Sequence, residues 1–173
     1  YFDTPGVYTV SLSATDGSTT DVETKSQVIT VLASGTGLPF YEGFEAYTSL
    51  DSSNKWFIYD ANDNRPFSLV SNVGYTGQQC VKLNNYAETV DTYDELISST
   101  IDLSSLASTD IATLSFRYSY KKKSTSNSES LKIIATYDCG ENWVTRKTIS
   151  GTTLSSLATS SQWTPSTTAD WTT

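Results

Sequence analysis

Residues 131–143 read LKIIATYDCGENW. An apolar, β-branched run climbs into Asp138, Gly140 follows two places later, and Trp143 closes the stretch. The run suits a pleated strand. A short acid followed by glycine suits the turn that ends one, because Asp accepts hydrogen bonds from nearby backbone N–H groups and Gly tolerates positive φ. Read as a strand running into a turn, the stretch makes the chain a β scaffold. Read as a catalytic or metal loop, it makes the chain an enzyme, so the rest of the sequence has to decide.

The composition favours the scaffold. Ser and Thr make up roughly a third of the 173 residues, well above ordinary usage. Tyrosine occurs 11 times and methionine not at all, and the apolar share is 37%. A sheet with one wet face buries only alternate residues, so that share suffices for a β core. The length allows one large or two small domains.

Charge and residue inventory exclude several functions. A net charge of −8 opposes nucleic acid, which needs a basic stripe to displace counterions, and opposes anionic membrane surfaces for the same reason. The one basic run, Lys121-Lys122-Lys123, reads as a solvated hairpin end. No apolar run approaches the ~18 residues of a membrane span; the chain opens in mid-pattern, as an internal piece of something longer would, so the lack of a signal-peptide pattern at its start carries little meaning. Histidine is absent, which removes the Ser-His-Asp triad, the Cys-His dyad and His-ligated zinc. Cys80 and Cys139 are too far apart for a CxxC motif. A disulfide between them is one reading, although Cys80 alternates with Val81 and Leu83 and so faces away from them.

Along the chain, VYTVSLSAT (7–15) places Tyr8, Val10, Leu12 and Ala14 on one face and Val7, Thr9, Ser11 and Ser13 on the other, the pattern of a half-buried strand. TPG (4–6) and Asp16-Gly17-Ser18 are turns, and SQVITVL (26–32) is a second strand. Two strands cannot bury a core alone, so further strands are expected before Tyr1. ASGTGLP (33–39) reads as a linker. Beyond it, short strands are expected at 39–44, 55–59, 67–71, 79–84, 93–97, 112–120, 130–137 and 142–149, the spacing of a sandwich or jelly roll. In LSFRYSY, Leu114, Phe116, Tyr118 and Tyr120 alternate with Ser115, Arg117 and Ser119, and KKKSTSNSES is the loop between that strand and the next. Residues 151–162 carry only weak helical spacing, diluted by many Ser and Thr, which disfavour helix interiors.

Two resemblances sharpen this. YFDTPGVYTVSLSATD resembles the closing part of a PKD domain, an Ig-like sandwich of bacterial secreted proteins, through Tyr1, Pro5, Gly6, Tyr8, Val10, Leu12, Val28 and Val31. PFYEGFE (39–45), GYTGQQCVKLNNY (74–86), DELISSTIDLSSL (94–106), YDCGENW (137–143) and QWTPSTTADW (162–171) occur in the order seen in the β-sandwich that follows the catalytic domain of pappalysin-like (cytophagalysin-type) metalloproteases. That sandwich is similar to MAM and gingipain cleaved-adhesin modules of type IX secretion. The resemblances imply an all-β chain. Residues 1–33 would be the tail of a PKD-like Ig sandwich, 34–37 a linker, and 38–173 a jelly-roll-like sandwich whose final strands lie outside this sequence. Thr136-x-Asp138-x-Gly140-x-Asn142-Trp143 also resembles the Asp-box of sialidase propellers, with Asn142 where Thr is usual. A single copy implies a structural turn with Trp143 as its plug.

Acidic clusters raise the question of calcium, which takes six to eight oxygens in irregular geometry. Glu42 and Glu45 lie in EGFE, Asp60, Asn62 and Asp63 in YDANDN, and Asp91, Asp94 and Glu95 in DTYDE. By resemblance to MAM-type modules, Glu45 is a ligand candidate. Asp60, Asn62, Asp63 and Asp94 are added for their oxygen-rich loops. YDANDN lacks the Gly and distal Glu of an EF-hand, and the plain alternative is that these acids are solvated turn residues. No pair of carboxylates is marked as a glycosidase dyad. Tyr41, Tyr47, Trp56, Tyr59, Tyr75, Tyr86, Trp163 and Trp171 include candidates for sugar stacking, but aromatic rings also supply most of the core in a chain without Met. Trp56, alternating with Ile58, reads as inward.

The expectation is a non-catalytic accessory or adhesion region of a secreted or cell-surface multidomain protein, whose zinc peptidase domain, if any, lies elsewhere. Calcium is its one expected cofactor, with no zinc in this chain. Its partners would be other domains of the same polypeptide and an extracellular protein or glycan. A carbohydrate-binding module is the alternative.

Overall fold

The computed structural model describes residues 2–50, 53–60, 65–87 and 93–173. Asn62 and Asp63, two of the calcium candidates, lie outside the described residues. The protein is all-β. Its strands are β1 (Gly6–Thr15), β2 (Thr20–Val31), β3 (Trp56–Asp60), β4 (Ser68–Ser71), β5 (Gln79–Lys82), β6 (Asp94–Ser98), β7 (Ser130–Ala135) and β8 (Val144–Ser150), followed by a single helical turn, α1 (Gly151–Leu154). Among the described residues the strands pair two by two and antiparallel, as β1–β2, β3–β6, β4–β5 and β7–β8. The chain forms two compact units. One comprises Tyr1–Leu83 and Asp91–Leu114, the other Asn84–Val90 and Ser115–Thr173.

In the first unit β1 and β2 form a long hairpin. At its tip Asp16 Oδ1 accepts from the backbone N–H of Ser18 and of Thr19, each at 2.8 Å, and Gly17 takes φ +95°. β2 begins at Thr20, earlier than the apolar pattern at 26–32 suggests, because Thr20–Lys25 is polar except for Val22. A bulge opposite Thr9, with Gln27 at φ +52°, joins its two halves. The half-buried expectation for β1 fails: Leu12 is 70% exposed, and Val10, Val22 and Val28 are exposed as well. The stretch read as a linker is tied down. Thr36 N–H donates to the Thr100 carbonyl at 3.0 Å and Asp102 N–H to the Thr36 carbonyl at 2.9 Å, which makes a parallel bridge between Thr36 and Ile101.

The core of this unit centres on Leu50 and Phe57, the latter opposite Ile97 across β3–β6. Phe57 is the inward residue of β3, whereas Trp56 and Ile58 are half-buried, so the face expected to be inward is the other one. Residues 39–44 form no strand. Their backbone bends around the Glu42 carboxylate instead, as described below.

In the second unit β7 and β8 place Leu131 opposite Ile149, with a register shift between Ile133 and Ile134. Ile149 and Leu154 are buried. The strand expected at 112–120 does not form either. Tyr118 makes only an isolated bridge to Thr172, and Lys122 one to Ala158. Without a continuous partner, the alternation of Phe116, Tyr118 and Tyr120 serves to half-bury these rings but does not build a ladder.

Candidate functional site

Among the described residues, the acids that look like ligands in sequence are engaged by the fold. Glu42 Oε1 accepts from the Phe44 N–H at 2.6 Å, while Oε2 accepts from the Tyr47 hydroxyl at 2.8 Å and the Trp56 indole N–H at 3.0 Å. One carboxylate thus gathers a backbone amide, a phenol and an indole, and Phe44 at φ +63° lets the chain wrap it. The Phe44 and Trp56 rings pack with centroids 5.2 Å apart. Partial burial, then the bond to Glu42, push the Tyr47 phenol above its usual range. The sequence offers Glu42 only as one of two acids in EGFE. Nothing in its spacing points to Trp56 as partner.

Glu45, three residues on, reaches a different segment. Its Oε1 accepts from the backbone N–H of Gln78 and Gln79, each at 2.8 Å. Glu45 therefore anchors the turn between β4 and β5. The turn is glycine-rich for want of space: a Cβ on Gly77 would lie 2.7 Å from Glu45 Cδ, and one on Gly74 would lie 2.7 Å from the Gly77 carbonyl oxygen.

Asp60 and Asp94 face each other as cross-strand partners at the end of β3–β6. Asp60 Oδ2 accepts from the Arg65 N–H at 2.9 Å. Among the described residues no three Cys, Asp or Glu side chains come together in a group that fits a metal ion. An open cleft of about 280 Å³ separates the base of the hairpin (Gly6, Val7, Gln27) from Leu50, Trp56 and Phe57.

In the second unit the 136–143 turn is built on Asp138. Its Oδ1 accepts from the Thr136 hydroxyl at 2.7 Å and the Asn142 N–H at 2.9 Å, and its Oδ2 from the Asn142 side-chain amide at 2.8 Å. Gly140 N–H donates to Thr136 Oγ1 at 3.0 Å. Cys139 and Gly140 take φ +59° and +92°, and the Trp143 ring lies against Gly140. Asn142 fills its position in the motif with a second hydrogen bond. These donors, the Asn142 amide first, hold the Asp138 carboxyl down at about 2. Asp170 caps a second turn: Oδ2 accepts from the N–H of Ser166 and of Thr167, each at 2.9 Å. The sequence signal for that capping box is Thr167-x-x-Asp170, with Asp in the place of the usual Glu or Gln.

Cys80, half-buried on β5, and Cys139, exposed in the Asp138 turn, are both free thiols. Burial pushes the Cys80 thiol up. The aromatic candidates divide. Trp56 and Tyr47 are held by Glu42, and Tyr86 donates through its hydroxyl to the Ser160 carbonyl at 2.7 Å. Trp163 donates through its indole N–H to Ser119 Oγ at 2.8 Å. Tyr41 is 86% exposed, and Tyr137, outside the candidate set, is 83% exposed. Burial, reinforced by the Glu129 carboxylate bonded to it, holds the Tyr120 phenol well above its usual range.

The lysine run is not a solvated hairpin end. Lys122 is buried, while Lys121 Nζ stands 3.4 Å from the Trp163 ring centroid and Lys123 Nζ 5.3 Å from that of Tyr86. Comparison with protein-family models, with curated proteins and with solved structures finds no match to this chain.

Proposed function

We propose that the chain is a non-catalytic accessory or adhesion region of a secreted multidomain protein, its N-terminal hairpin belonging to an Ig-like sandwich and the remainder to a jelly-roll-like one. The observation that supports this is how the acids are used. Asp16, Glu42, Glu45, Asp138 and Asp170 each spend carboxylate oxygens on turn and loop donors. Such carboxylates shape loops and have little left to offer a reacting substrate. The exposed Val10 and Leu12 fit a hairpin designed to be covered by further strands. Purified chain is expected to adhere to immobilised extracellular protein or glycan without turnover on ester, peptide or glycoside substrates. Turnover abolished by changing one of its acids, in a variant that still folds, would overturn the reading.

A carbohydrate-binding module is the second reading, favoured by the strongly exposed rings of Tyr41 and Tyr137. Calcium belongs to the proposal as a structural ion at Asp60 and Asp94. Two carboxylates at cross-strand positions supply oxygens of the kind calcium takes. Added calcium should raise Tm and EDTA should lower it again; identical melting in both removes the ion.

A further inference from the structure

We infer that the Lys121–Lys123 segment of the second unit is a docking stripe for an acidic polysaccharide, one whose sugar rings carry carboxylates. The inference deepens the adhesive reading and rests on it. Three observations meet here. First, the two outer lysines are held in place: Lys121 Nζ sits 3.4 Å above the Trp163 ring and Lys123 Nζ 5.3 Å from Tyr86. Secondly, both rings are themselves clamped. The Trp163 indole N–H donates to Ser119 Oγ at 2.8 Å, Ser119 Oγ donates to the Asp170 carbonyl at 2.7 Å, and the Tyr86 hydroxyl donates to the Ser160 carbonyl at 2.7 Å. Thirdly, neither outer lysine forms an ion pair with a carboxylate among the described residues.

In a chain of net charge −8, two unneutralised ammonium groups on aromatic supports are an exception that calls for a use. Lys122, between them in sequence, is buried, while Lys121 is half-buried and Lys123 exposed. Two positive charges held on neighbouring residues of one segment fit a polymer that repeats a negative charge. Because the rings already restrict the lysine side chains, little conformational freedom is left to lose on binding. The half-buried rings add apolar faces and edges of the kind sugars pack against. Nucleic acid would meet the remaining negative charge of the chain, whereas a short acidic glycan need touch only this stripe.

The test uses the full chain and titration calorimetry with polygalacturonate oligomers. Wild-type chain should bind, and added NaCl should weaken the binding. The double variant Lys121→Gln/Lys123→Gln should bind at least about tenfold more weakly with unchanged Tm, and Lys121→Arg/Lys123→Arg should retain binding. Undiminished binding by the Gln variant would remove this site and leave the adhesive reading standing. Equal binding of a neutral glucan, or of dextran sulfate, would overturn the assignment to a sugar carboxylate. No binding of polygalacturonate would overturn the proposal, while adhesion to other immobilised surfaces would still be measured on its own.

Discussion

At Asp138 one carboxylate takes hydrogen bonds from Thr136 and from two groups of Asn142, and its carboxyl falls from the ordinary 3.8 to about 2. Asp16, capping the first hairpin, falls to about 2 in the same way, its largest contributor the Ser18 amide. A folded-state pKa below the unfolded one stabilises the fold above the unfolded value, and that contribution is lost as pH falls through the folded value. Stability should therefore decline between about pH 4 and about pH 2. Asp138→Ala should lower Tm at pH 6, and the gap to wild type should narrow towards pH 2; a gap independent of pH would contradict the capping role. Glu42 is a different case, since three donors converge on it in a half-buried loop. Glu42→Ala leaves the Phe44 amide, the Tyr47 hydroxyl and the Trp56 indole without an acceptor. It should cost about 3 kcal/mol in urea unfolding, with a shift in tryptophan emission.

Among elements, the turn between β4 and β5 offers a graded comparison. A methyl at Gly77 meets the Glu45 carboxylate, which can swing aside, whereas a methyl at Gly74 meets the Gly77 and Gln79 carbonyls, which cannot. Gly74→Ala should therefore destabilise more than Gly77→Ala, the latter by about 1–3 kcal/mol. Removing Glu45 should make the Gly77→Ala change cheaper, which a double-mutant cycle measures directly. This is the scale at which sequence reasoning succeeds and fails most clearly. Strands β3 to β8 each fall within or close to a segment whose apolar pattern marks it. The segment at 39–44 carries the same pattern, yet Glu42 pulls its backbone into a loop, and residue spacing holds no trace of a side chain reaching Trp56, fourteen positions on. Residues 112–120 alternate well but have no strand to pair with, and pairing is a property of two segments. The Asp138 turn was legible because all its parts lie within eight residues. The lysine–aromatic stripe was not, because Tyr86, Lys121 and Trp163 are far apart in the chain.

For the molecule as a whole, burial is scarce. The buried apolar residues among those described are Leu50, Phe57, Ile149 and Leu154, and none of them is wholly sealed from solvent. Energetic weight should follow them. Phe57→Ala should cost about 3–5 kcal/mol, whereas Leu12→Ser, at a residue 70% exposed, should stay within about 0.5 kcal/mol of wild type. Equal effects would mean that the hairpin face is covered in solution. The hairpin's geometry bears on how the region behaves under load. Gly6 and Val31 stand opposite each other at its open end, so tension applied along the polypeptide peels the β1–β2 hydrogen bonds one at a time instead of straining them together. Stretched by optical tweezers, the chain should yield there first and at low force, paying out about 80 Å of slack. Under the adhesive role proposed above, such a segment would act as a shock absorber.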